Sequence, residues 1–296
     1  MIRVNGLNRC VAVLRGPRRR RVAVAGASVL TLLFAAPCRT GAARAQTAHL
    51  EPIGEAQAVQ AQHPIPTLQP PIAGYEFPQR ETLTFTVDWR VFTAGTAVFH
   101  LEQKDGKLHV TATADTVGAV NMLFPVVDRF QSTMDTKTGC SGGFWKQLQE
   151  GRRRVSSDLT FDYHAGRQTE VQRNLAKGTQ KTQSSNIPAC VTDSLSGIFY
   201  AASQGLVVGQ DFGLPLADSM RTVTVTMKVE AKEEIKTPAG TFQTIRVQPT
   251  AEEGVVKNRG NIWIWYTDDA RHIPVQMRAR LFWGTITFYL QSMEAQ

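Results

Sequence analysis

Three small groups of side chains in this sequence have types and spacings that could do chemistry. Asp193 stands beside Ser194 where a helix is expected to begin; Asp268 and Asp269 closely precede His272; Glu233 and Glu234 are adjacent. A hydrolase needs a nucleophile with a base, or two carboxylates, held together in a pocket. Each group also has a scaffold role that accounts for it. Asp193 suits a helix N-cap. Asp268 and Asp269 occupy a turn, where Asp bonds its own backbone, and consecutive glutamates on a strand point to opposite faces. The remaining histidines, His49, His63, His100, His109 and His164, are scattered, and nothing has metal-ligand spacing. The sequence thus specifies no catalytic residue, metal or cofactor, and a non-catalytic domain is the expectation, with a hydrolase as the third reading.

A ligand pocket is the other chemistry on offer. The run Ile262 to Tyr266 is apolar on both faces, with isoleucines on one and Trp263 and Trp265 on the other. Such a strand has to be covered on both sides, so the sheet is curled, overlaid by a helix, or lining a cavity. The large apolar side chains expected to line a pocket are Phe85, Trp89, Phe124, Trp263, Trp265 and Phe288, with Arg152 or Arg154 at its mouth and a lipid or acyl chain as ligand. The alternative is that the same side chains fill a solid core. That leaves a structural module meeting an envelope protein partner through its edge strands or its tether.

The elements that must position these residues are mostly strands. Leu83, Phe85 and Val87 alternate with Thr82, Thr84 and Thr86; Val223, Val225, Met227 and Val229 alternate with polar residues; Ile286, Phe288 and Leu290 do the same near the end. Asp105-Gly106 is a two-residue hairpin signal, and Thr237-Pro238-Ala239-Gly240 marks another turn. Strand follows strand through short turns, so the sheet is antiparallel. Thr169 to Leu175, polar on both faces, reads as an exposed edge strand. The apolar cluster Met122 to Phe130 surrounds Pro125, which argues for a short helical or irregular segment, either a flap over a cavity or a plug at the end of the sheet. The best helix runs from Thr192 to Ser203, where Leu195, Ile198, Phe199 and Ala202 form an apolar stripe. The expected fold is mainly β: a curved antiparallel sheet or half-open β-barrel over residues 79–295, with one amphipathic helix packed on it.

The formal charge of +8 resides at the N-terminus, because nine arginines and no acidic residue precede Gln46. Without those nine, 24 basic side chains face 25 acidic ones, a net charge of −1. The basic balance is therefore no sign of a nucleic-acid partner. Arg18 to Arg21, the apolar run Val22 to Ala36 and the small-x-small site Ala43-Arg44-Ala45 read as a signal peptide over residues 1–45, too short to remain as a transmembrane anchor. Cleavage before Cys38, as in a lipoprotein, is the rival, although Pro37 sits where a small flexible residue is expected. Residues 46–78, rich in Ala, Gln and Pro, read as a disordered linker. Export to the periplasm or beyond makes Cys140 and Cys190 an expected disulfide, closing a loop of about 50 residues and contributing about 4 kcal/mol on the chain-entropy model.

Several blocks together resemble a known bacterial exported family. They are Glu81-x-Leu83, Trp89, Ala94-Gly95-x-Ala97, Asp193-x-Leu195-Ser196 leading to Phe199-Tyr200, Thr237 to Phe242, and Trp265-x-Thr267-Asp268-Asp269-x-Arg271-x-Ile273-Pro274-Val275 followed by Gly284. Their order is similar to that in the family called domain of unknown function 3108. The resemblance implies an antiparallel β fold in the cell envelope, with no settled activity, cofactor or catalytic residue. A half-open barrel like that of lipoprotein carriers is the fold-level analogy. Where many relatives carry a histidine before the helix aspartate, this chain has Thr192, which removes a His-Asp pair.

Overall fold

The computed structural model describes residues 65–295 apart from 259, 282 and 283. The expected signal peptide, Cys38 and the first part of the linker lie outside the described residues. The period-two alternation becomes fourteen strands: β1 (Arg80–Trp89), β2 (Phe92–Lys104), β3 (Lys107–Thr116), β4 (Val127–Asp135), β5 (Ser141–Glu150), β6 (Arg153–Asp162), β7 (Arg167–Asn174), β8 (Thr179–Asn186), β9 (Asp211–Asp218), β10 (Arg221–Thr237), β11 (Gly240–Thr250), β12 (Asn261–Thr267), β13 (Pro274–Leu281) and β14 (Gly284–Ala295). Three short helices interrupt them: α1 (Gly118–Leu123), α2 (Ser196–Ala202) and α3 (Gly254–Asn258).

All fourteen strands belong to one antiparallel sheet, in the order β8-β7-β6-β5-β4-β3-β2-β1-β14-β13-β12-β11-β10-β9. Every neighbouring pair but one is consecutive in sequence. The exception is β1 with β14, paired from Glu81↔Ala295 to Trp89↔Ile286, which joins the two halves of the chain. The sheet is not closed, since β8 and β9 are its two ends. In β1 the burial follows the alternation, with Leu83, Phe85 and Val87 buried and the threonines between them half-buried. Asp105 and Gly106 both have positive φ, 51° and 72°, as a type I′ hairpin requires. Gly95 is needed for a different reason: a Cβ there would lie 2.3 Å from the Asp115 carbonyl oxygen of β3. That contact accounts for the glycine in the Ala94-Gly95-x-Ala97 block.

The concave face holds one core that takes side chains from both halves of the sheet and from α2. The helix on the sheet is shorter than the stripe suggests, and its burial extends beyond the stripe to Ser196, Tyr200 and Ala201. The sheet wraps round it. Tyr266 of β12 donates its hydroxyl to the Ile198 carbonyl at 2.9 Å, the His272 Nδ1 hydrogen goes to the Ala202 carbonyl at 2.7 Å, and Phe99 meets Phe199 edge-on at 6.3 Å.

Two features differ from the expectation. The exposed polar end strand is β8 and not the Thr169 to Leu175 arm, because a further hairpin carries the polar run Thr179–Asn186 outside β7. Residues 65–78, assigned by composition to a linker, contain no strand or helix but are packed against the domain. Leu68 and Phe77 are buried, Gln69 N donates to the Tyr200 hydroxyl at 2.9 Å, and Ile72 N donates to the Ser203 carbonyl at 2.9 Å.

The Cys140–Cys190 disulfide is formed, with Cα atoms 5.2 Å apart across a separation of 50 residues. It holds the start of β5 to the segment that enters α2. Opening it with a Cys140→Ala/Cys190→Ala double variant should lower the unfolding free energy by about 2–5 kcal/mol, read as a fall in the urea midpoint with a somewhat steeper slope, because the uncrosslinked unfolded chain exposes more surface.

Candidate functional site

Asp193 is fully buried and meets four donors. Its Oδ2 accepts from the Ser132 hydroxyl at 2.5 Å and the Ser141 hydroxyl at 2.6 Å, and its Oδ1 from the backbone N–H groups of Leu195 at 2.8 Å and Ser196 at 3.0 Å. With the Ser132 hydrogen committed to the carboxylate, the Ser196 hydroxyl donates to Ser132 Oγ at 2.5 Å. Asp193 N returns a bond to Ser141 Oγ at 2.8 Å, and Tyr163 donates to the Ser141 carbonyl at 2.7 Å. One carboxylate thus ties β4 and β5 to the first turn of α2. Burial raises its pKa above the ordinary 3.8, while the hydrogen bonds from Ser132, Ser141, Ser196 and Leu195 pull the other way. No histidine is among its bonded partners, and Thr192 donates to the Asp193 carbonyl at 3.3 Å. The constellation has hydroxyls and an acid, but the base that would activate a serine is not among them.

The other candidate groups hold turns and strands. Asp269 Oδ1 accepts from the Thr267 hydroxyl at 2.8 Å and from the N–H groups of Arg271 and His272 at 2.9 and 3.2 Å, while Ile273 N donates to Thr267 Oγ1 at 2.8 Å. Asp268 pairs with Lys232 at 2.7 Å, Glu233 pairs with Arg246 at 2.9 Å, and Glu234 accepts from Gln243 at 3.0 Å. Arg271 reaches across to the buried carboxylate of Glu81 at the start of β1, whose pKa is raised by burial against the pull of that guanidinium. Two of the recurrent blocks are joined by this pair.

The space that could hold a ligand lies elsewhere, as two adjoining hollows. The first is a cavity of about 70 Å³ between α2, α3 and the concave side of the β9–β13 strands; Leu214, Val225, Met227, Ile262, Ile264 and Met277 are among its walls. α3 covers it with Val255 and Val256, and is held by the Val255 N–H bond to Asp218 Oδ2 at 2.8 Å. The second, of about 10 Å³, is mixed: Lys146, Ser157, Glu170 and Asp218 face it beside Phe144 and Leu159, with Ser157 donating to Glu170 at 2.5 Å. Ser194 and Val255 border both hollows.

None of the six side chains expected to line a pocket borders either hollow. Phe85 and Phe288 are buried together in the concave core. Trp263 and Trp265 alternate with Ile262 and Ile264, whose face is concave, so the tryptophans lie on the convex face. There Trp265 is buried by its surroundings: its Nε1–H donates to Glu233 at 2.7 Å and the Arg278 guanidinium lies 5.2 Å from its ring centre. Trp89 is partly exposed at the end of β1, and Phe124 packs near Gly151. Arg152 and Arg154 are exposed at and just after the β5–β6 turn and border neither hollow. The residues that do line the cavity carried a signal, since Val225, Met227, Ile264 and Met277 fall on the apolar phase of their strands. Aromatic size drew attention to the other phase. Ser132 and Ser141 carried no local signal at all.

Fold and site together define a beta-barrel-like domain, an open antiparallel curl filled by a buried helix. The chain belongs to the family described as protein of unknown function DUF3108, which matches residues 84–291. Among solved structures, the beta-barrel-like protein of domain of unknown function DUF1849 from Brucella abortus is similar with a TM-score of 0.53 at 9% identity, over 75% of this chain and 99% of that one. This likeness is one of fold. A protein from Bacteroides fragilis described as exported with a YmcC-like fold gives 0.34 at 11% identity, over 74% and 99% of the two chains. One from Parabacteroides distasonis described as a lipoprotein gives 0.28 at 12%, over 74% and 98%. No curated protein matches the chain. Among the described residues no helix is long and apolar enough to cross a membrane.

Removing the Asp193 carboxylate leaves two buried N–H groups without an acceptor, so Asp193→Ala should cost about 2–4 kcal/mol. Asp193→Asn keeps the shape and should cost less. The raised folded-state pKa means that the native state holds this proton more tightly than the unfolded chain. Its stabilising contribution is therefore complete below the ordinary value of 3.8 and is lost as pH rises through the raised value. The stability difference between wild type and Asp193→Asn, from urea unfolding, should shrink with rising pH across that window. A flat difference from about pH 3 to about pH 7 would show that the carboxylate titrates as it does in the unfolded chain.

Proposed function

We propose that this is an exported envelope domain that binds, without catalysis, a small amphipathic ligand such as a lipid or acyl chain. One observation carries the reading: the apolar cavity and the mixed cleft adjoin at Ser194 and Val255. An apolar end suits the first; the second, of about 10 Å³, has room for about one water, so a polar head would sit at its mouth beside Lys146. The cavity of about 70 Å³ is less than half the ~150 Å³ of an apolar cavity that takes benzene. It suits a few carbons of a chain, and a longer stretch needs α3 to lift. That helix has five residues, begins at Gly254 and is followed by Gly260, both glycines at positive φ. Export is supported by the arginine-led apolar leader and by the disulfide, since such bonds persist in oxidising compartments.

A second reading is an interaction module, and it rests on β8. This strand is polar, exposed and paired only with β7 among the described strands, so its outer edge can accept a partner's strand.

Gly197 offers the test. It borders the cavity from α2, and a Cβ there meets only Thr192 at 3.7 Å, an ordinary contact. Gly197→Ala should stabilise the domain by about 0.5–1 kcal/mol. Gly197→Leu should keep the fold but fill the cavity. Fluorescence titration with dansylated undecanoic acid should show saturable binding to wild type, at least about tenfold weaker binding to Gly197→Leu (about 1.4 kcal/mol), and weaker carboxylate-dependent binding to Lys146→Ala. Equal binding to wild type and Gly197→Leu, or none to wild type, would remove the cavity as a site and favour the edge-strand reading.

A further inference from the structure

A meander sends alternate turns to opposite ends of its strands. The turns β1–β2, β3–β4, β5–β6 and β7–β8 therefore share one rim, and β2–β3, β4–β5 and β6–β7 the other. The two rims differ in chemistry. The second carries Asp105-Gly106, Asp135 to Gly139 and His164 to Gly166. Of the thirteen large apolar side chains exposed among the described residues, eight fall on the first rim. At its centre Val91 is 84% exposed, Phe92 66%, and Met122 and Leu123 each 86%.

These side chains form one surface. Val117 N donates to the Ala94 carbonyl at 3.0 Å, which fastens the start of α1 to β2 beside the β1–β2 turn. On its other side, Gly151 N donates to the Pro125 carbonyl at 2.8 Å, and a Cβ on Gly151 would lie 3.0 Å from the Phe124 ring. α1 thus stands between the β1–β2 and β5–β6 turns. Its sequence Gly-Ala-Val-Asn-Met-Leu has no charge and none of its residues is buried. Only Val120 is half-covered and Asn121 accepts from the Thr116 hydroxyl at 3.0 Å, so the exposed Met122 and Leu123 gain nothing from folding onto this protein.

The exposed charge around the patch is mainly arginine: of the acids on this rim, Asp128 is fully buried and accepts from Gln149 N at 3.0 Å, and Asp88 is half-buried beside Trp89. The other two acids there, Asp115 and Glu150, are paired with Arg129 at 2.9 Å and Arg153 at 2.7 Å. Arg152 and Arg154 are exposed, with no carboxylate partner among the described residues, and Arg90 stands over Trp89 at the tip of the first hairpin. Apolar tips with an indole and arginines at their margin are the composition that sits in a lipid interface: the tips enter the acyl boundary and the guanidinium groups meet phosphate.

We infer that this rim docks the domain on an anionic bilayer surface, with Val91, Phe92, Met122 and Leu123 inserted and Arg152 and Arg154 on lipid phosphates. The inference is independent of whether the cavity holds a ligand. It is tested by flotation of the protein isolated from its own envelope with phosphatidylcholine vesicles, with and without phosphatidylglycerol. Wild type should bind the anionic vesicles. Met122→Ser/Leu123→Ser should lose at least about tenfold in affinity, since the insertion energy comes from removing these two apolar side chains from water. Arg152→Gln/Arg154→Gln should lose the preference for phosphatidylglycerol. These side chains are exposed, and an unchanged melting temperature confirms that the fold is intact. Failure of wild type to bind, or equal binding by the serine variant, overturns the inference. So does concentration-dependent self-association that the serine variant abolishes, which would make the patch a contact between copies.

Discussion

The fold depends on the carboxylate of Asp193. A sheet of fourteen antiparallel strands that curls without closing presents an apolar concave face larger than its own side chains can fill, and α2 is the object that fills it. A helix of seven residues does not persist alone, because nucleation costs more than so few hydrogen bonds return. It has to be held at both ends. Asp193 holds the first turn to β4 and β5, while His272, Ile72 and Tyr200 fix the last turn to the β12–β13 turn and to the segment before β1. Placing a carboxylate in this interior is tolerable because two hydroxyls and two amides replace the water it loses. Without that replacement the helix start would be a buried, uncapped end.

A second constraint is the meeting of the chain's two halves. Twelve of the thirteen strand pairings are between sequence neighbours, and β1 with β14 alone is long-range. The pair from Arg271 to Glu81 lies at one end of that seam, and Trp89 beside Gly284 lies at the other, where a Cβ would be 2.8 Å from the indole nitrogen. The blocks that mark the family therefore have structural reasons. Glu81 and Arg271 close the seam, Gly95 admits the β3 backbone, Asp193 seats the helix, and Thr267 with Asp269 builds the turn that presents Arg271. None of these roles is catalytic, which is why the family resemblance and the fold agree while neither indicates a reaction.

Much of the architecture was legible in the residues because alternation is a local property. The strands around Phe85, Val225 and Ile264, the Asp105-Gly106 hairpin, the disulfide and the antiparallel class all follow from patterns shorter than a hairpin, or from compartment logic. What was not legible is relational. Alternation says that Trp263 and Trp265 share a face but not that the face is convex; that is decided by Tyr266 and the isoleucines packing toward α2. Large aromatics were then assigned to a pocket, whereas the convex tryptophan is covered by Arg278 and by the Glu233 partner of Arg246. The serines that bind Asp193 are 61 and 52 residues distant in sequence, beyond any local signal. β8, all Thr, Gln, Ser, Lys and Asn, has neither apolar period nor turn chemistry to announce it.

Apolar surface that folding leaves unused is where a domain has something left to offer another molecule. The concave core is filled so well that most of its members are nearly inaccessible, and on the convex face Trp265 is covered by Arg278. Against that background two places depart from the rule that folding hides what water rejects: the hollow under α3, where packing stops short, and the rim at α1, where methionine and leucine are turned outward. Each lies beside a basic side chain, Lys146 in the first case and Arg152 with Arg154 in the second. The apolar hollow lies chiefly on β9–β13, with Lys146 reaching the adjoining hollow from β5, and the rim lies at the strand ends of β1–β6. The rim lies at the strand ends and the hollow under α3 within the curl, so occupying one does not cover the other.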